Sequence, residues 1–390
     1  MKTKTVSRVM STLLIVAFMF CFSAAAFAEE HSASKAKALS YLQSKLDEQC
    51  PMQTFETEEP ALSNAAYSYD SAIAALAFIS EGDMERASRI LDTFVVGIGD
   101  DPEFHDRIRN AYMSGNASTL PGYWNTQANS WYQDEYQVGT STCTTAAVAV
   151  ALLTYNSLQE NSSYVDTAIK GIDWILAHCS DSNPGYSAGY DGWPNANKVT
   201  VYTSKGTLDN LWLYAACNKL AETTGWEKYA EAAENAYSFV TEKMYSQGDT
   251  RFFEGTAPDG VSPNGNNVTV NAQCMAYLVL GEDAGLDNVK SNCKSKDGGF
   301  AYDNTTNNAE GFWVEGTAMT ALSFSMQGET DVADRALSTI ESVQLPSGGF
   351  PDASIPELST GDMGLTYTDM PRIASSAWYI LAVNGYNPFF

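Results

Sequence analysis

Three acids in this chain occupy the same kind of place. Asp70 in SYDSA, Asp209 in TLDNLW and Glu315 in FWVEGTA each open a long, almost wholly apolar run. If those runs are helices, each carboxyl sits at a helix N-terminus, where the backbone dipoles favour the ionised form while burial beside aromatics favours the neutral one. Two carboxyls split in this way into an acid and a base are what hydrolysis of a glycosidic bond requires. Plain N-capping accounts for Asp70 and Asp209 equally well, because Asp is a preferred cap. Glu is a poor cap, so Glu315, two residues after Trp313, carries the chemical reading furthest. Asp134 and Glu135 in WYQDEYQ rank second, with Glu254, Asp303 and Asp369 behind them as loop charges.

Around these acids the sequence places aromatics and amides. Trp124, Trp131, Trp193 and Trp313 lie in long loops together with Tyr190 and Tyr302, and with Asp134 they form the candidate substrate-binding set. Sugar rings offer C–H faces to stack on indole and phenol, and hydroxyls to bond carboxylates and amides. Packing the loops down is the alternative use of each tryptophan. Trp174, Trp212 and Trp378 fall in helical runs and belong to the core.

Other chemistries lack their residues. Histidine occurs only at 31, 105 and 178, which leaves no HExxH, no Cys/His zinc spacing and little material for a Ser-His-Asp triad. No GxSxG, P-loop or strand-preceded GxGxxG is present. No metal and no cofactor is expected. A lyase would need Tyr202, Tyr302 or Tyr367 as base, near His105.

The first 28 residues have Lys2, Lys4 and Arg8, then LLIVAFMFCF, then small residues ending in Ala26, Phe27 and Ala28. This is a signal peptide, with cleavage expected after Ala28 and a secreted or periplasmic product. Cys21 follows bulky Phe18, Met19 and Phe20, which does not suit a lipoprotein site. Cleavage removes three of the 22 basic residues and none of the 47 acidic ones, taking the formal charge from −25 to −28. Such a surface repels phosphate backbones and anionic lipid, so nucleic acid and membranes are poor partners and neutral or cationic ligands are better ones. No later run is long enough to span a bilayer. Six cysteines remain, an even number in a compartment that permits disulfides. Cys143, Cys217 and Cys274 lie in apolar helical runs, where free thiols are ordinary.

The elements that must position the acids alternate between two kinds. Amphipathic segments with one wet face are followed by segments apolar all round, which must be packed on every side. Paired in order, they predict six hairpins: 34–49 with 67–80, 83–97 with 143–156, 163–178 with 207–222, 227–244 with 269–280, 285–293 with 316–326, and 331–343 with 373–384. Six inner and six outer helices make an all-α (α/α)6 toroid over 29–390, a single domain built of degenerate repeats. Turns from inner to outer helices are short. Every connection from outer to inner is long, which collects the long loops on one face, around the N-termini of the inner helices.

With these segments placed, TLDNLWLYAACNKLAETTGWEKYAEAAENAYSFVTEKM, FFEGTAPDG and FWVEGTAMTALSF resemble the six-hairpin glycosidase superfamily over most of the mature chain. The resemblance implies polysaccharide or oligosaccharide chemistry by hydrolysis, phosphorolysis or elimination. It places acids at Glu315 and, less securely, at Asp209 and Asp70. QLPSGGF and SKDGGFAYD are also similar to turns of terpene-cyclase and prenyltransferase toroids, though an Asp-rich acid motif and a zinc site are missing. Tight turns after outer helices explain those glycines. The expected protein is therefore an inverting glycoside hydrolase, with a lyase or a non-catalytic glycan-binding or envelope scaffold protein as alternatives. The sequence leaves the sugar, the linkage and the oligomeric state open.

Overall fold

The computed structural model describes residues 30–390 except 61, 101–105, 120–122, 126, 128, 133, 194–197, 266, 306–309 and 361–365, with backbone alone at 123–125, 130–132, 193 and 198. The expected leader, its cleavage site and His105 lie outside the described residues.

Thirteen α-helices are described. They are α1 (Ser32–Glu48), α2 (Ser68–Ser80), α3 (Met84–Gly99), the short α4 (Glu135–Val138), α5 (Thr142–Leu158), α6 (Ser162–His178), α7 (Thr207–Thr224), α8 (Glu227–Ser238), α9 (Val270–Leu280), α10 (Leu286–Asn292), α11 (Val314–Gln327), α12 (Thr330–Glu341) and α13 (Ile373–Val383). A π-turn, Phe239–Lys243, continues α8. All twelve expected helices are present, but the pairing differs from the expected one: each outer helix packs mainly on the inner helix before it, across the short turn, as α3 does on α2, α6 on α5, α8 on α7, α10 on α9 and α12 on α11, while α1 packs on α13. In α2 and α5 nearly every residue is buried, whereas α12 buries Ala333, Ala336, Leu337 and Ile340 along one stripe. That contrast sorts inner from outer. The inner helices α2, α5, α7, α9, α11 and α13 pack in that order, and α13 returns to α2 to close the ring.

The long loops carry a second ring, made of backbone. The residue preceding each inner helix, Tyr67, Ser141, Gly206, Thr269, Trp313 or Arg372, is extended, with φ between −68° and −129°. Each pairs antiparallel with another loop: Tyr67 with Ala111, Ser141 with Gly189, Gly206 with Gly255, Thr269 with Asp303, Trp313 with Ala353, and Arg372 with Phe55. The last of these pairings joins the final loop to the first. Backbone groups that helix ends and loops would otherwise leave unbonded in the interior are thereby satisfied.

The glycine turns after the outer helices are as the spacing predicts. Gly348 closes one with φ of 92°, its N–H donating to Leu345, and Gly298 closes the other with φ of 97°. All six cysteines are free thiols. At the opposite end of the ring, Asn387 donates to the Leu278 carbonyl and Phe389 packs edge-on to Trp212. No described helix is long and apolar enough to cross a membrane.

His31 ties the start of α1 to α12. Its buried ring bonds Glu341 at 2.7 Å and Asp334 at 3.1 Å. Burial works against the imidazolium, but these two carboxylates outweigh it and raise the pKa above the ordinary 6.5. A raised histidine pKa contributes stability that is complete below the unfolded value and is lost as pH rises through the folded one. The melting temperature of the wild type minus that of His31→Gln is therefore expected to shrink over the range above the ordinary histidine value of 6.5. A difference that stays constant across that range would show that His31 does not titrate in the fold.

Candidate active site at the funnel floor

The N-termini of α2, α11 and α13 converge on Arg372. Its Nε donates to Asp70 Oδ1 at 2.9 Å, one Nη to Asp70 Oδ2 at 3.1 Å and the other Nη to Asp352 Oδ1 at 3.0 Å. Glu315 Oε2 lies 3.6 Å from that second Nη. The side chains of Asp70, Glu315 and Asp352 are at most 5 % exposed, and the Phe55 ring covers the guanidinium at 5.5 Å. An arginine at a helix N-terminus opposes the dipole. Three surrounding acids outweigh that cost here and hold its pKa well above the usual value, although burial alone would lower it.

Glu315 is the acid this arrangement keeps protonated. Burial is the largest influence and pushes its pKa up to about 7, against the downward pull of Arg372 and of the Tyr69 hydrogen bond and with upward help from Asp70 and Asp352. The Tyr69 hydroxyl donates to Oε1 at 2.7 Å. Burial also raises Asp352, with Arg372 opposing.

Asp209 stands at the corresponding position of α7 and is half-buried. It caps a neighbouring helix as well as its own: Oδ1 accepts the Cys143 N–H of α5 at 3.0 Å, and the Gly206 N–H at the start of α7 also bonds its carboxylate. Asp70 caps α13 through the Ala374 N–H at 3.0 Å. Their difference is the cation. Asp70 holds Arg372, whereas among the described residues no cation acts on Asp209, so burial lifts it to about 6 against the N–H groups of Cys143 and Gly206. The Cys143 thiol, kept protonated by burial, feels the charges of both Asp209 and Glu315.

Aromatics form the walls. Trp313 stacks on Tyr367 with centroids 5.1 Å apart and planes at 2°, and Tyr302 packs on both. Tyr302 donates to Glu254 at 2.7 Å. The rings of Tyr67 and Tyr136 lie 6.0 Å apart, and Tyr136 feels Cys143, Arg372 and Asp191. Asp191, raised by burial and by neighbouring Asp134 and Glu135, accepts from Tyr202 at 2.5 Å. Arg372 is the cation that acts on Tyr67, Tyr136, Glu315 and Tyr367.

Some candidates sit elsewhere. Tyr190 is not a funnel residue: its hydroxyl bonds the His178 carbonyl at 3.1 Å and its ring packs edge-on to Trp174 of α6. Alternation along the strand Gly189–Trp193 explains this, since Asp191 takes the opposite face. Asp134 caps α4 through the Gln137 N–H, and Asp303 is buried in a loop turn bonded to Thr305 and Asn267. Asp369 is exposed. Trp124 and Trp131 are cross-strand partners in a hairpin, and Trp193 ends a strand; their side chains lie outside the described residues.

Sequence reasoning missed Arg372, Asp352, Tyr69 and Cys143. Arg372 had a signal. A cation directly before an apolar inner helix is unfavourable unless buried acids receive it. Asp352, in a glycine turn, had none.

No family model and no curated protein matches the sequence. Solved structures do match. An alpha-amylase from Clostridium perfringens aligns over 90 % of this chain and 98 % of its own, with 14 % identity and a TM-score of 0.64. A glycosidase solved in complex with glucose aligns over 92 % and 98 %, with 13 % identity and a TM-score of 0.63. A cellobiose 2-epimerase from Bacillus thermoamylovorans aligns over 89 % and 98 %, with 12 % identity and a TM-score of 0.58. The chain shares its (α/α)6 toroid fold with these solved structures.

Proposed function

We propose that the protein is an exported, carbohydrate-active enzyme: an inverting glycoside hydrolase with Glu315 as general acid and Asp209 as general base. The observation that carries this reading is a buried glutamate at an inner-helix start, held between the Tyr69 hydroxyl and Arg372, where burial pushes its pKa up to about 7. In this reading Glu315 protonates the leaving oxygen while Asp209 draws a proton from the attacking water, a geometry that needs carboxyls about 6.5–9.5 Å apart. Asp70 is not the base, because both its oxygens hold Arg372. Trp313, Tyr302 and Tyr367 supply a stacking wall for a sugar ring. Export rests on the leader alone.

Substrate charge follows from Arg372. Its donors are turned to Asp70 and Asp352, so it has little left with which to neutralise a uronate. Neutral or cationic sugars suit the funnel better. The lyase alternative also lacks a base near neutral pH, since burial holds Tyr302 and Tyr367 far above the ordinary tyrosine range and pushes Tyr202 up to about 12. A polysaccharide panel scored for reducing ends and for unsaturated uronate absorbance separates these readings. Glycan binding without product would favour the non-catalytic binder.

The two pKa values set a narrow pH profile. The base must be ionised, so kcat/KM rises through about pH 6, and the acid must be protonated, so it falls through about pH 7. Rates on a neutral substrate are expected to peak between those limbs. A plateau extending well above pH 8 would remove Glu315 from the acid role.

A further inference from the structure

We infer that Tyr69 is a positioning residue that determines which oxygen of Glu315 carries the transferable proton, with Trp378 setting the direction of the bond between them. The catalytic meaning of this rests on the glycosidase reading above; the hydrogen-bond assignment does not.

An indole N–H can only donate, and Trp378 Nε1 lies 3.1 Å from the Tyr69 hydroxyl oxygen. That hydroxyl accepts from Trp378 and donates its single hydrogen to Glu315 Oε1 at 2.7 Å, so that each of its neighbours is paired. Trp378 is fully buried in α13, so the direction is set by a side chain packed inside the ring. With Oε1 occupied as an acceptor, the proton of neutral Glu315 rides on Oε2. This oxygen faces Arg372 at 3.6 Å, too far for a hydrogen bond.

The consequence for transfer is direct. The Oε2–H bond breaks as an O–H bond forms on the glycosidic oxygen, which keeps the electron pair of the departing C–O bond. Glu315 is left as a carboxylate, with Tyr69 donating to one oxygen and the Arg372 charge facing the other. Tyr69 keeps its own proton throughout, in line with a phenol pKa raised well above the ordinary value by burial and by the neighbouring Glu315 charge.

The test reads Glu315 itself. Carbon-13 glutamate infrared difference spectra, wild type minus Glu315→Gln, follow its protonated carbonyl band across a pH titration of the full chain. Tyr69→Phe removes a donor to the carboxylate, so the midpoint is expected to rise above the wild-type value of about 7, by about one pH unit or more. A ring-fluorinated tyrosine at 69 is a stronger donor of nearly the same size and is expected to lower the midpoint. Opposite shifts are something a packing role cannot produce. Should Tyr69→Phe not fold, as its melting curve would show, the fluorinated form still decides the matter. A midpoint unmoved by the fluorinated tyrosine, or moved the same way by both replacements, overturns the assignment. If the midpoints shift as stated while the wild type hydrolyses no sugar, the assignment stands and the glycosidase reading falls.

Discussion

Glu315→Gln turns over a natural substrate about 10²- to 10⁴-fold more slowly than the wild type while still binding it. Glutamine keeps the size of the side chain and can still accept from Tyr69, but it has no proton to give. The surrounding structure should tolerate the change, because the wild-type carboxyl, with a pKa of about 7, is already neutral for much of the time. Removing its negative charge costs Arg372 only the most distant of its three acids. Asp209→Asn is expected to lower turnover in the same way, through loss of the base. The measurement is kcat and KM on a verified substrate, with a melting curve beside each rate. Wild-type turnover in a folded Glu315→Gln protein would make Glu315 a structural carboxyl at a helix end.

Arg372→Leu is expected to be the most destabilising single change at the site, costing about 3–5 kcal/mol. Asp70 and Asp352 would be left buried without the cation that neutralises them, at the seam where the last hairpin meets the first. Leucine fills part of the space and does nothing for the charges. The deficit should therefore narrow as pH falls and the acids take up protons. Adding Asp70→Asn to Arg372→Leu should recover part of the loss, because one uncompensated charge is gone. Urea unfolding of the wild type, Arg372→Leu and the double variant at two pH values measures all three expectations. An Arg372→Leu midpoint equal to that of the wild type would mean that the seam is held by apolar packing alone.

Helix count, order and inner or outer placement were legible in the sequence because they follow from local rules. A run such as TTAAVAVALLTY has no polar face to give to water, whereas Val332, Ala336 and Ile340 with charge between them must have one. Six alternations of that kind admit a ring, and the shortness of every inner-to-outer turn orients it. For the same reason the acids at inner-helix starts, Asp70, Asp209 and Glu315, could be picked out as candidates.

Tertiary structure alone decided which acids act on which partners. Tyr69 and Glu315 are 246 residues apart in the chain, and Asp70 and Arg372 are 302 apart. Helical periodicity says which face a residue occupies but nothing about which distant helix end it meets. The difference between Asp70, clamped by a cation, and Asp209, lifted by burial, arises from ring closure, which brings Arg372 to α2 and not to α7. In the loops the same limit applies: only strand pairing separates Tyr190, turned to an outer helix, from Asp191, turned to the funnel. Burial of an acid is a property of everything packed around it, so the pKa values that would divide an acid from a base could not be read before the chain had closed on itself.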